Sequence, residues 1–225
     1  MIKKFLFLLF IGLTLVNTAL PAATTPQNRP LSLNQDEALS LLLEATKYNE
    51  STYVQSYIQF LQKNDMSIDM LGKFGDNALH VAAENGHTEM VLLLLTAGAN
   101  PEARNREGLT PLHCAANTKI MQLFLDRNVT IEAVDNYGKT PLHWAALRGR
   151  TECVELLLKN RSNPNALTHL KQTPLHFAAA RKDGTESVQK LLTAKANPEL
   201  ADYNGKTALD IAMWHRHKIV IKALS

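Results

Sequence analysis

From about residue 34 onward, apolar residues recur in short bursts separated by polar breaks, and the bursts come in pairs. Leu79, Ala82 and Ala83 form one burst, Glu84-Asn85-Gly86-His87 a break, and Met90 to Leu95 a second, longer run. The same order returns with Leu112, Ala115 and Ala116 before Ile120 to Leu125, and with Leu142, Ala145 and Ala146 before Cys153 to Leu158. It returns again with Leu175, Ala178 and Ala179 before Val188 to Leu192. Apolar spacings of three and four predict helix, so each block reads as two short helices around a tight break. The Ala pairs let the two helices approach closely. The second runs end in turns, Gly98-Ala99-Asn100-Pro101, Asn163-Pro164 and Asn197-Pro198. A link containing Gly75, Gly108, Gly138 or Gly205 then leads to a following block.

A short phrase opens each block: Asn77-Ala78-Leu79-His80, Thr110-Pro111-Leu112-His113, Thr140-Pro141-Leu142-His143 and Thr173-Pro174-Leu175-His176. An eroded copy, Thr207-Ala208-Leu209-Asp210, follows. The steps between copies are 33, 30, 33 and 34 residues. Thr suits a helix N-cap, because its hydroxyl accepts from a backbone N–H that the first turn leaves unpaired. Pro suits the first helical position, where no N–H is needed. A fixed period of this length predicts a stacked solenoid. Each unit is too small to bury a core alone, so neighbours bury each other's faces, and the result presents a surface rather than a pocket.

The phrase, the Ala pair, Gly86-His87, the Leu run and Gly-Ala-Asn-Pro together resemble the ankyrin repeat, in the family's order, over about residues 70 to 225. Residues 34–71 read as a degenerate capping helix pair, with Ala45, Asn49, Val54 and Ile58 at the places of Ala82, Gly86, Val91 and Leu95. The expected fold is all-α, an ankyrin-repeat α-solenoid of helix-turn-helix units joined by β-hairpin-like loops. The units are expected at about 72–104, 105–134, 135–167, 168–201 and 202–225. The resemblance implies binding of a protein partner on the concave surface of loop tips and first helices. It also implies that the phrase histidine bonds near its own Thr and to the adjoining loop. Thr110, His113, Thr140, His143, Thr173, His176 and His80 are accordingly structural.

Three departures carry expectations. The second unit lacks three residues between Ala116 and Ile120, so its inter-helix turn must tighten. The fourth has one extra residue around Lys182-Asp183-Gly184. Gly98 is replaced by Asn128, Arg161 and Lys195 in later units, where a left-handed helix end costs something for Arg or Lys. Lys171 replaces the loop glycine of the fourth unit, and that loop is expected to rearrange.

Partner-binding candidates follow from the unit plan. Phe74, Arg106, Tyr137, Leu170 and Tyr203 fall at loop tips, and Arg148, Arg181 and Trp214 at the ends of first helices. Aromatic and Arg side chains are common interface anchors. Rings in a row of loops either receive a partner or pack on the next loop.

The amino terminus carries a different pattern. Met1-Ile2-Lys3-Lys4 is basic, Phe5 to Val16 is apolar apart from Gly12 and Thr14, and Asn17 to Ala23 is small and polar. This three-part plan predicts a signal peptide over 1–23, cleaved near Ala22 or Ala23. The apolar run is shorter than the roughly 20 residues a bilayer span needs. Residues 24–33 read as a disordered leader. The chain is expected to be exported, periplasmic or secreted, and bacterial, with no membrane contact after cleavage. A retained anchor, giving a membrane-tethered scaffold, is the alternative.

Composition is that of an ordinary globular chain, 45% hydrophobic and 20% charged. The net charge of +3 falls to +1 without Lys3 and Lys4, which gives no nucleic-acid signal. The charges are unevenly spread. Residues 23–118 carry 6 Lys/Arg and 11 Asp/Glu, and residues 119–225 carry 16 and 10. A stack turns that imbalance into a dipolar rod able to steer an acidic partner. Cys114 and Cys153 stand where apolar residues stand in other units, so packing thiols and a bridge both fit. The phrase histidines form a ladder with rungs about 8–10 Å apart. Zinc ligands sit about 2 Å from the ion, so no two rungs share a metal. His215 and His217 fall in a degraded repeat break rather than a chelating pair. No catalytic motif is present. The sequence therefore predicts a non-catalytic monomer with no cofactor, no metal and an unidentified protein partner. An accessory or inhibitor of a periplasmic enzyme is the alternative role.

Overall fold

The computed structural model describes residues 35–72 and 75–225. The signal peptide, the leader and the candidate Phe74 lie outside the described residues. Helices pair along the chain: α1 Gln35–Lys47 with α2 Ser51–Lys63, α3 Ala78–Glu84 with α4 Thr88–Thr96, and α5 Pro111–Cys114 with α6 Thr118–Leu125. They continue as α7 Pro141–Arg148 with α8 Thr151–Lys159, α9 Pro174–Ala179 with α10 Thr185–Thr193, and α11 Ala208–Trp214 with α12 Lys218–Leu224. Among the described residues there is no strand, and the fold is all-α.

The first helices α1, α3, α5, α7, α9 and α11 pack in one row, and α4, α6, α8, α10 and α12 in a second. One continuous core runs between the rows from Ala38 to Val220. Leu79, Leu112, Leu142 and Leu175 supply it from the first row, and Leu94, Phe124, Leu157 and Leu191 from the second. Ala82, Ala83, Ala145, Ala146, Ala178 and Ala179 are buried in this core, where a larger side chain would hold the packed helices apart.

Two sets of polar bonds lock each unit to the next. In the first, the backbone N–H of Thr110, Thr140 and Thr173 donates to Nδ1 of His113, His143 and His176 over 3.0–3.1 Å. The same rings donate from Nε2 to the carbonyls of Lys139, Gln172 and Lys206 in the following loop, at 3.1, 3.1 and 2.9 Å. His80 spans to the Leu109 carbonyl at 2.9 Å, with Asn77 Oδ1 in the Thr position 2.7 Å from its Nδ1. In the second set, a group of the following unit reaches the open C-terminal end of α1, α3, α5, α7 and α9. Such carbonyls lack partners within the helix. His87 reaches the Lys47 carbonyl, the Ala116 N–H that of Ala83, and Arg150 those of Cys114 and Ala115. Arg181 reaches Leu147, and His217 reaches Ala179.

Two expectations need correction. The second unit does not merely tighten its turn. Its first helix stops at Cys114, Ala115 leaves the helical region at φ −47°, ψ 113°, and Asn117 caps α6 by accepting from the Ile120 N–H at 2.9 Å. With three residues fewer, the chain gives up helix so that Ile120, Met121 and Phe124 keep their core positions. The fourth loop does not rearrange. Lys171 takes φ +57°, and the bonds from Lys171 N–H to Thr168 and from Thr168 N–H to Gln172 repeat those around Gly138. The extra residue of the fourth unit is absorbed in the turn before α10, where Gly184 sits so near the Ala178 carbonyl that a Cβ would fall 1.9 Å from its oxygen. Both cysteines are free buried thiols, and burial pushes Cys114 up to about 12 and Cys153 up to about 11.

Candidate partner interface

The loop tips are built on side-chain acceptors, buried at Asp135, Thr168 and Asp202 and half-buried at Asn105. Asp135 Oδ1 takes the backbone N–H of Tyr137 and of Lys139, both at 2.8 Å, and its Oδ2 takes the indole N–H of Trp144 at 2.9 Å. Asn105, Thr168 and Asp202 repeat the backbone part of this arrangement in the neighbouring loops. Successive loops are joined directly. Asn136 N–H donates to the Glu107 carbonyl, His169 N–H to Tyr137, and Tyr203 N–H to Leu170. Gly138 permits this approach: its φ is +77°, and a Cβ there would lie 2.8–2.9 Å from His169.

On that ladder Tyr137, Leu170 and Tyr203 stand 58, 60 and 73% exposed. Their backbones bond to neighbouring loops while their side chains face solvent. Arg106 is also exposed, with its stem against Gly75. The helix-end candidates divide. Arg181 is committed to the stack through the Leu147 carbonyl and Asp183 Oδ2, and it lines an open depression with Ala180, Lys182 and Asp183. Arg148 pairs with Glu84 at 3.0 Å, joining the first and third of the units that begin with the phrase, above the shortened helix between them. Trp214 stands 84% exposed at the end of α11.

The structure also gathers residues that the sequence does not single out. Lys139 Nζ lies 5.0 Å from the ring centroid of Tyr137, 5.1 Å from Trp144 and 5.7 Å from Phe177. Arg148 stands 4.8 Å from Trp144. Two cations thus lie near the Trp144 ring, and its indole is anchored to buried Asp135. Attraction of a cation to a ring face is worth about 0.5–2 kcal/mol and restrains an otherwise mobile side chain. Two positions of the repeat hold the signal. One is the residue before each Thr or Asn of the phrase, Asp76, Leu109, Lys139, Gln172 and Lys206. The other is the residue after each His or Asp, Val81, Cys114, Trp144, Phe177 and Ile211. Among the described residues, no group of three His, Cys, Asp or Glu is placed to hold a metal ion, and no helix is long and apolar enough to cross a membrane.

Stacked helix pairs with a row of exposed loop tips form a scaffold for protein–protein interaction. A family profile described as ankyrin repeats (3 copies) matches residues 13–105, 42–133, 79–168 and 160–225, and the chain belongs to the ankyrin-repeat family. It is 31% identical over 193 residues to the human palmitoyltransferase ZDHHC13, covering 84% of this chain and 30% of that protein. It is 35% identical over 158 residues to inversin of Canis lupus familiaris, covering 66% and 15%. A putative ankyrin repeat protein of fowlpox virus, FPV014, is 38% identical over 73 residues, covering 32% and 17%. The chain spans less than a third of the length of these relatives.

Proposed function

We propose that this chain is an exported, non-catalytic binding protein that holds a protein partner against its loop tips and first helices. It acts in the periplasm or the surrounding medium of a bacterium, as a monomer, after removal of residues 1–23. The observation that supports binding on this face is the row of Tyr137, Leu170 and Tyr203, exposed apolar side chains on a backbone ladder that holds them in fixed register. Apolar groups in a line on the surface are an unusual use of area unless something docks there. The basic, apolar and small-polar order of residues 1–23 supports export.

Replacing Tyr137 and Tyr203 by Ala is expected to leave the protein folded and to weaken partner capture from envelope or culture fluid in a pull-down titration. Unchanged capture rejects this face as the binding face. Mass spectrometry of the protein recovered from its native cells is expected to find a mature terminus near Ala23. An intact Met1 rejects cleaved export, and substrate turnover by the purified chain rejects the non-catalytic reading.

A further inference from the structure

The surface around Lys139 has a chemical preference of its own. Its ammonium is surrounded by three rings, yet among the described residues no carboxylate pairs with it. An ammonium has three N–H donors and no acceptor. Here the rings hold the side chain in place without using those donors as a carboxylate would. Much of the entropy normally lost on immobilising a lysine is therefore already spent in the free protein. The adjoining cation, Arg148, keeps one edge on Glu84, while its Nη1 is buried without a hydrogen-bond partner. Beside these cations lie the exposed ring of Tyr137 and the half-buried rings of Trp144 and Phe177.

The charge of the half of the chain that carries Lys139 points the same way. The column that contains Lys139 begins with Asp76 and ends with Lys206. Residues 119–225 carry 16 Lys/Arg against 10 Asp/Glu. A cationic ligand would meet repulsion here and would have to expel Lys139 from the rings. A nucleic acid long enough to run along the stack would meet the opposite excess in residues 23–118, with 6 Lys/Arg against 11 Asp/Glu.

We propose that the Lys139, Arg148, Tyr137, Trp144 and Phe177 cluster receives an acidic peptide segment that carries an apolar side chain beside its carboxylates. One carboxylate accepts from the Lys139 ammonium, and the apolar side chain lies across the Tyr137 and Phe177 rings. This deepens the partner-binding reading above and rests on it.

The probe is a short synthetic peptide of Glu and Asp with one central Leu, titrated into the full chain. The chain has two tryptophans, so its amide spectrum has two indole N–H signals, and the Trp144 signal is assigned through Trp144→Phe. Saturable movement of that signal is expected. Lys139→Gln should weaken binding about tenfold or more, in line with the loss of a charge-assisted hydrogen bond. Lys139→Arg should retain most of the affinity, both variants should keep a cooperative melting transition, with Lys139→Gln somewhat lower for want of its ring contacts, and added salt should weaken binding. Four results would each overturn the proposal: no saturable movement, equal affinity of Lys139→Gln, tighter binding of a Lys-rich peptide, or tighter binding of a single-stranded oligonucleotide. If Lys139→Gln binds the acidic peptide unchanged while the Tyr137 and Tyr203 replacements abolish partner capture, partner binding stands and the acidic preference falls.

Discussion

A phrase histidine of this chain is wedged between a backbone donor and a backbone acceptor. The Thr140 N–H points at Nδ1 of His143, and the Gln172 carbonyl faces its Nε2, so the network fixes the neutral ring with its proton on Nε2. A second proton on Nδ1 would confront the Thr N–H and place a charge in the stack. Burial, the largest cause, holds His113 and His143 down at about 4, and it lowers His80 as well. The unfolded chain titrates His113 and His143 near 6.5, so between about 6.5 and 4 it binds protons that the folded chain refuses. Stability contributed by His113 and His143 is complete above about 6.5 and is lost as the pH falls towards 4. His113 and His143 each account for about 2–4 kcal/mol of that loss. Urea midpoints between pH 7.5 and 4.5 should fall steeply in the parent. They should fall less in His143→Gln, which starts lower because its bonds to the third and fourth units are gone. Parallel pH profiles would show that the ring does not titrate as its setting requires. The carboxylates Glu155, Asp183 and Asp210, held low mainly by bonds to Lys159 and Lys190, to Arg181 and to Thr207, lose their contribution only at still lower pH.

At the level of the element, the four-residue helix α5 poses the sharpest question, since a single turn has no stability of its own. Its neighbours hold it. Pro111 presets its first turn, Thr110 and His113 form a reciprocal cap, and Arg150 reaches over from the next unit to the carbonyls of Cys114 and Ala115 at 3.0 and 2.7 Å. Arg150→Ala strips both carbonyls and should cost about 1–3 kcal/mol in a denaturant titration. A loss indistinguishable from zero would mean that water replaces the guanidinium. Gly184→Ala tests the opposite irregularity, because its Cβ has no room beside the Ala178 carbonyl. It should lower the melting temperature although the glycine's φ of −76° suits alanine, which separates crowding from backbone preference. The helix pairs were legible in the sequence because Thr-Pro-Leu-His signals a helix start and the Ala pair marks the close contact. The extent of α5 was not. A three-residue deletion is equally consistent with a tighter turn or a shorter helix, and only the fixed core positions of Ile120 and Phe124 decide between them. The Lys139 cluster was hidden for a related reason. Trp144 and Phe177 occupy a column in which Cys114 is buried and Val81 is half-buried, and nothing local marks which of its members open to solvent.

Across the whole molecule, stability is a sum of unit and neighbour terms, so it need not be uniform. The third of the phrase-bearing units buries Leu142, Ala145, Ala146, Cys153, Val154 and Leu157, and both of its flanks are bonded through His113, His143, Arg150 and Arg181. The last buries Ala208, Ala212 and Val220, while Met213, Trp214 and Ile219 remain largely exposed. Asp210, at the place of the histidine, bonds back to Thr207 rather than across a junction. Opening α11 and α12 therefore gives up little apolar contact and few cross-unit bonds, whereas opening α7 and α8 breaks the core on two sides. Amide hydrogen exchange under native conditions should show α11 and α12 exchanging first and α7 and α8 among the slowest. Leu142→Ala, with a core cost of about 2–5 kcal/mol, should speed exchange in α5 to α10 while leaving the already fast amides of α12 nearly unchanged. If every helix instead exchanged at one rate, with Leu142→Ala accelerating all of them equally, the stack would be opening as a single cooperative body. The neighbour-by-neighbour account of its stability would then be wrong.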